Sequence, residues 1–356
     1  MPHPFPPAAV PLLLDWYRQN RRDLPWRENR DPYCVLVSEI MLQQTRAETV
    51  KPYFRQFLAA LPTVADLAAA DEPTLLKLWE GLGYYSRVRN LQRAARAVME
   101  NHGGRIPADF EALLTLPGVG RYTAGAVASI AFDLPVPAVD GNVLRVMARL
   151  TGDDTDVLSP NAKKNAETSL APCVPTEGAG DFTQSLIELG ALICVPGDPK
   201  CGECPLQLLC VANREGKQYS LPVRLPKTRR RVEERTVLVL RWRNEEGDVE
   251  TALRKRPPEG LLGGLYEFPC MEGHATEEGV TEYLTSVGLT VGHVDKLPSA
   301  KHLFSHIEWR MMGYAVELTA PPAGVEDWFF TAVSELNSRY AIPSAYSVYR
   351  PYCFFC

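Results

Sequence analysis

The sequence predicts two folded parts: an all-α domain over residues 1–212 and a mixed α and β domain over residues 236–356, joined by a basic linker at 213–235. Three observations predict this. At 356 residues the chain exceeds what one hydrophobic core usually organises. Before residue 212, apolar residues recur at spacings of three and four, as in Leu36 and Ile40, in Leu91, Ala95 and Val98, and in Val143, Val146, Met147 and Leu150. After residue 235, the β-rich run Thr236-Val237-Leu238-Val239-Leu240, the turn cluster from Asn244 to Asp248 and the resumption at Glu250-Thr251-Ala252-Leu253 read as a hairpin.

The composition, 46% hydrophobic and 23% charged, fits a soluble globular protein and excludes a disordered, collagenous or membrane-embedded one. No run of 18 uncharged apolar residues occurs, and Met1-Pro2-His3-Pro4-Phe5 carries no secretory signal pattern, so the chain reads as a cytoplasmic monomer away from membranes. The net charge of −5 would suit a nucleic-acid partner poorly if it were spread evenly. It is not. Residues 1–212 carry 20 basic against 24 acidic side chains, residues 213–235 carry 8 against 3, and residues 236–356 carry 10 against 16. The basic stretch includes Pro222, Pro226 and Arg229-Arg230-Arg231 without apolar periodicity, the pattern of an extended linker.

Nine cysteines in a cytoplasmic chain point to metal or reactive thiols rather than disulfides. Cys194, Cys201, Cys204 and Cys210 form C-x6-C-x2-C-x5-C after a helical segment, whereas Cys34, Cys173, Cys270, Cys353 and Cys356 are scattered. Four thiolates in one loop can wrap one soft centre, and both zinc and iron–sulfur accept them. Zinc sites usually pair two C-x2-C knuckles; only one is present, which leans to iron–sulfur. The spacing resembles the cluster loop of DNA glycosylases of the endonuclease III type. That resemblance implies one 4Fe–4S centre with a structural and DNA-facing role, and places Lys200 near a phosphate.

Leu116-Pro117-Gly118-Val119-Gly120 precedes an apolar helix. Two glycines allow close backbone approach, and the helix start offers unpaired N–H groups to a phosphate; taken alone, the pentapeptide also suits a plain turn between helices. With the cysteine loop downstream it resembles the helix-hairpin-helix of the same superfamily, which makes Gly118 and Gly120 DNA contacts. In members that also cut the strand, a lysine two residues after the second glycine forms a Schiff base. Here Tyr122 stands there, and a phenol cannot form an imine. The resemblance therefore implies a monofunctional glycosylase that uses water.

Asp140 opens the helix in Val139-Asp140-Gly141-Asn142-Val143, where an N-cap is the plain reading. In the superfamily an aspartate in this V-D-x-x-V setting stabilises the oxocarbenium-like sugar, and Asn142 would hold that carboxylate or the substrate. Glu39 lies in Ser38-Glu39-Ile40-Met41-Leu42-Gln43-Gln44-Thr45, flanked by hydrocarbon on a helix; burial raises a carboxyl pKa and suits a general acid. This string, with Pro25-Trp26-Arg27 upstream, resembles the adenine-specific MutY branch of the superfamily. The likeness implies that Glu39 protonates adenine at N7 after the base is flipped out. It assigns Gln44 and Tyr84 to the gap left in the duplex, and Arg22, Trp26, Arg27, Leu42 and Gln184 to lesion or base-pocket contacts.

Gly263-Gly264-Leu265-Tyr266-Glu267-Phe268-Pro269 resembles the strand of Nudix-like domains, with residues 281–289 in place of their catalytic helix. Thr285 and Ser286 replace the paired glutamates that would hold Mg²⁺, so the domain recognises rather than hydrolyses. Phe304, Ser305 and His306 match the loop that senses 8-oxoguanine opposite adenine. The resemblance thus implies an all-α helix-hairpin-helix glycosylase domain with an iron–sulfur cluster loop at 194–210, then a Nudix-like α/β domain. Its partner would be duplex DNA with adenine opposite 8-oxoguanine or guanine. A glycosylase of the same fold acting on thymine, a non-catalytic lesion-binding protein and a nucleotide pyrophosphatase are the alternatives.

Overall fold

Polar side chains cap several helix starts. In the computed structural model, which describes residues 4–225, 230–322, 325 and 327–354, the N-terminal part folds into α1 (Ala9–Asn20), α2 (Pro32–Leu42), α3 (Ala47–Ala60), α4 (Val64–Ala69), α5 (Glu72–Leu78), α6 (Ser86–Asn101), α7 (Phe110–Leu114), α8 (Arg121–Phe132), α9 (Gly141–Thr151), α10 (Pro160–Leu170), α11 (Ala179–Leu192) and α12 (Val211–Arg214). Asp31 accepts from the Cys34 N–H at 3.0 Å with Pro32 at the first helical position, and Thr63 with Asp66 forms a capping box. α2 is apolar nearly all round and is buried from Val35 to Met41. Phe5, Leu13, Val143, Met147, Phe182 and Leu186 share one core. α9 and α11 approach so closely that a Cβ added at Gly190 would lie 2.7 Å from the Cβ of Asn142.

Contacts divide the chain into two compact units, residues 1–70 with 86–226 and residues 71–85 with 227–356. The boundary differs from the one read from composition in two respects. First, α5 and the turn after it group with the C-terminal part: Lys77 Nζ donates to the Tyr340 carbonyl at 3.4 Å and Arg350 pairs with Glu80. Trp79 is fully buried and donates to the Gly83 carbonyl at 3.1 Å, which steadies the turn before Tyr84. Second, much of 213–235 is not an extended linker. Leu221 is 4% exposed, its carbonyl accepts from Arg149 Nε at 2.8 Å, and the Val223 carbonyl accepts from the Val157 N–H at 3.1 Å. Apolar anchors and a buried arginine hold this stretch, which a reading of charge alone passes over. Pro226, Lys227 and Arg229 of the linker, like Met1 to His3 and Cys356, lie outside the described residues.

The second unit holds a seven-stranded mixed sheet built from β1 (Arg231–Arg243), β2 (Val249–Lys255), β3 (Tyr266–Glu267), β4 (Cys270–Glu272), β5 (Val291–Leu303), β6 (Ile307–Leu318) and β7 (Trp328–Ala332). The order is β3-β2-β1-β6-β5, with β4 on β1 and β7 on β2. The expected hairpin is β1–β2, antiparallel with Arg241 opposite Thr251, while β1 runs parallel to β6. Val237 and Val239 point to a core with Phe268, Trp309 and Tyr346; Leu238 and Leu240 point to the opposite core with Val280 and Leu284 of α13 (Glu277–Ser286). Both faces are therefore covered. α13 starts and ends earlier than the 281–289 read from sequence, because Thr276 caps it and the helix stops before Val287. A last short helix, α14, spans Leu336–Arg339.

Candidate active site

A cavity of about 1720 Å³ opens in the helical unit. Arg22, Trp26, Arg27, Glu39, Leu42, Gln44, Gly118, Gly120, Tyr122, Asp140, Asn142 and Gln184, all singled out from sequence, line it. Four segments supply the central groups: the 3₁₀ turn at Pro25–Arg27, α2, the start of α8 and the start of α9.

Glu39, on buried α2, is 6% exposed. The Tyr122 hydroxyl donates to its Oε2 at 2.6 Å. Burial pushes the Glu39 carboxyl up to about 7; the Tyr122 hydrogen bond and the Arg27 charge pull the other way, and the Asp140 charge adds to the rise. Burial and the Glu39 charge hold the Tyr122 phenol well above its ordinary value, so it remains a donor. Asp140 is both the N-cap of α9 and part of the cavity wall: Oδ1 accepts from the Val143 N–H at 2.7 Å and Oδ2 from Asn142 Nδ2 at 2.8 Å. Burial raises its pKa, opposed by these two hydrogen bonds and by Arg145. Asn142 is fixed in turn, because Arg145 Nη2 donates to its Oδ1 at 2.8 Å while Nε donates to the Cys194 carbonyl at 2.7 Å.

Three features escaped the sequence reading. Glu188 of α11 is fully buried in the cavity wall and receives Arg22 Nε and Nη2 and Arg27 Nη2, each at 2.9 Å. Arg87 Nη1 donates to the carbonyls of Ile40 and Met41 at 3.0 Å and of Gln43 at 2.5 Å, closing the end of α2. Lys163 and Lys164 also line the cavity. A glutamate on an apolar helix with two arginines elsewhere was the available signal for Glu188, and a separation of more than 160 residues hides it.

In the cavity lining, Gly118 has φ +76° and a Cβ there would lie 2.5 Å from the Cβ of Asn90, so this turn demands glycine; Gly120 caps α8. Gln44 and Tyr84, expected to enter the duplex, both hold left-handed backbones, φ +59° and +48°, and Tyr84 is 47% exposed. Such conformations in non-glycine residues concentrate at functional positions. Tyr84 belongs to the second unit and does not line the cavity. In that unit Phe304, Ser305 and His306 form the tip of the β5–β6 hairpin, with Ser305 and His306 exposed. Phe304 packs edge-on against His302 and Trp309, its N–H donates to the Ile307 carbonyl at 2.8 Å, and Arg230 Nε donates to its carbonyl at 2.9 Å.

Cys194, Cys201, Cys204 and Cys210 line one small cavity of about 30 Å³ together with Arg149, whose Nη1 lies 3.4 Å from the Cys194 sulfur. None of the described cysteines forms a disulfide. Among the described residues no three His, Cys, Asp or Glu side chains converge as ligands of a single ion. Four thiols around one space are a donor set that a thiolate-bound metal centre takes. Lys200 in this loop is exposed. Among the described residues no helix is long and apolar enough to cross a membrane.

Residues 37–174 match the family described as HhH-GPD superfamily base excision DNA repair protein, and residues 237–349 match the NUDIX domain. Fold and site thus define a helix-hairpin-helix base excision repair protein with a Nudix-like domain behind it. The chain is 37% identical to an adenine DNA glycosylase of Rattus norvegicus, over 86% of this chain and 70% of that one. To an adenine DNA glycosylase of Buchnera aphidicola it is 31% identical, over 86% and 87%. It belongs to the adenine DNA glycosylase family. Among solved structures it is similar to a thermostable thymine-DNA glycosylase, with 34% identity and a TM-score of 0.54, over 58% of this chain and 96% of that one.

Proposed function

We propose that the protein is a monofunctional DNA glycosylase that removes adenine opposite 8-oxoguanine or guanine in duplex DNA. The observation that carries this reading is the pairing of a buried Glu39, held near its proton by burial, with Asp140 fixed by two hydrogen bonds in the same cavity. Adenine flips into the cavity. One proton passes from the Glu39 carboxyl to adenine N7, leaving Glu39 an anion. The C1′–N9 bond then breaks with its electron pair going to the base. Asp140 faces the sugar cation until water adds at C1′, and the proton that water gives up returns to the Glu39 carboxylate, which restores the acid. Tyr122 directs its hydroxyl at Glu39 and offers no amine, so no imine forms at this position. Phe304, Ser305 and His306 read the opposing 8-oxoguanine, while Gln44 and Tyr84 fill the space left by adenine. Cys194, Cys201, Cys204 and Cys210 would hold one 4Fe–4S centre, which serves fold and DNA contact rather than base excision.

The likeness to a thymine-DNA glycosylase covers 58% of this chain, whereas the adenine relatives match through both domains, which favours adenine over thymine. Alkali-dependent cleavage of the adenine strand in a duplex with adenine opposite 8-oxoguanine tests the reading, with a thymine–guanine duplex alongside. Cleavage of the thymine strand alone would overturn it, and cleavage without alkali would overturn the monofunctional part.

A further inference from the structure

Glu188 belongs to no proton-transfer step, yet it is a carboxylate with no solvent exposure in the wall of the cavity that holds Glu39. It accepts the Arg22 N–H, Arg22 Nε and Nη2, and Arg27 Nη2, all at 2.9 Å, and Arg27 Nη1 donates to the Arg22 carbonyl at 3.0 Å. Arg27 also lies over the Tyr17 ring of α1, 5.5 Å from its centroid. Two guanidiniums and one carboxylate leave this cluster with a single net positive charge; Arg46, Glu48, Arg121, Lys163, Lys164 and Glu167 are the other charged side chains of the cavity lining. Glu39 faces Tyr122 from α8, Asp140 at the start of α9 and Arg27 from the 3₁₀ turn; on α11 itself Asp181 is engaged by Arg30 at 3.1 Å. Of the charges facing Glu39, Arg27 favours its anion and Asp140 opposes it.

We infer that Glu188 is a positioning residue for the proton of Glu39: by neutralising Arg22 and Arg27 it keeps their charge from ionising Glu39 before adenine arrives. This rests on the reading of Glu39 as proton donor. A carboxylate buried without counter-charge would itself be protonated; with two guanidiniums it stays ionised, its pKa held to about 2. The same pair, left without Glu188, would put two positive charges beside the cavity, with Glu48 the remaining carboxylate acting on Arg22.

The test is the rate of adenine release in a single turnover from the duplex with adenine opposite 8-oxoguanine, followed from about pH 5.5 to about pH 9. Activity falls at high pH as Glu39 loses its proton. Glu188→Gln moves that fall down by about one pH unit, so its loss is several-fold larger at high pH than at low pH. Glu188→Asp, which keeps the charge, leaves the fall where it is. Because Glu188→Gln removes a buried counter-ion and can impair folding, Arg22→Gln supplies the opposite sign: it moves the fall to higher pH. A uniform rate loss at every pH, an unmoved fall in a folded Glu188→Gln, or, where that variant does not fold, an unmoved fall in Arg22→Gln, would overturn the inference. Glu39→Gln separates it from the reading beneath it, since wild-type turnover in that variant sinks the proton-donor role itself, whereas an inactive Glu39→Gln beside an unmoved Glu188→Gln profile sinks only the part played by Glu188.

Discussion

Glu39 and Glu188 are the same residue type, both buried, both in the wall of one cavity, and their proton affinities diverge: about 7 for one and about 2 for the other. Burial raises both. What separates them is the company each keeps, a single phenol for Glu39 and two guanidiniums for Glu188. The depth of a carboxyl thus says nothing about its charge until its donors are counted.

The largest expected effect separates their chemistry. Glu39→Gln lowers single-turnover adenine release by roughly 10²–10⁴-fold, the contribution typical of a general acid, with duplex binding retained in a gel-shift assay. Asp140→Asn follows at about 10²–10³-fold, the scale of an electrostatic stabiliser of a developing charge. Retention of near wild-type rates in either variant would remove the role assigned to that residue.

Stability sharpens the contrast further, with opposite signs. The depressed pKa of Glu188 contributes stability that is present above about pH 4.5 and lost as pH falls through about 2. Glu188→Gln therefore costs about 3 kcal/mol at neutral pH in denaturant unfolding, and the deficit narrows on acidification. For Glu39 the pKa is raised, so folding is favoured below about pH 4.5 and the advantage disappears as pH rises through about 7. Glu39→Gln should then stabilise the fold above pH 7, by up to about 3 kcal/mol, while slowing adenine release. Equal unfolding midpoints at about pH 8 would contradict the raised pKa. The smallest effect is that of Tyr122→Phe: it deletes the donor that favours the Glu39 anion, so the high-pH fall in activity moves up by about half a unit. A fall moving downward would show that the phenol opposes ionisation instead.

Much of this site is legible in the sequence because its parts are local. The apolar flanks of Glu39 foretell its burial, and Asp140 before a periodic helix foretells a cap that the structure keeps while turning the same carboxylate to the cavity. The β1–β2 hairpin announces itself through a β-rich run and a turn cluster. The hidden parts are those that join distant segments. Arg145 reaches from Asn142 to the Cys194 carbonyl, Arg87 closes the end of α2, and Arg22 and Arg27 meet Glu188 across the fold. An arginine carries no periodic signal, and its partner is set by packing rather than by spacing. The stretch at 213–235 misleads for a related reason: its charge is plain, whereas its attachment depends on Leu221 and on one backbone bond from Val223.

The grouping of residues 71–85 with the C-terminal part bears on how the chain tolerates being shortened. Stop codons and expression boundaries are chosen along the sequence, and a cut at residue 226 would look like the clean removal of one module. It would also strip Glu80 of Arg350 and Lys77 of the Tyr340 carbonyl, a few residues before Tyr84. A fragment ending there is then a protein with a wound in its first hundred residues, and defects measured in it would report on that turn as much as on the missing domain.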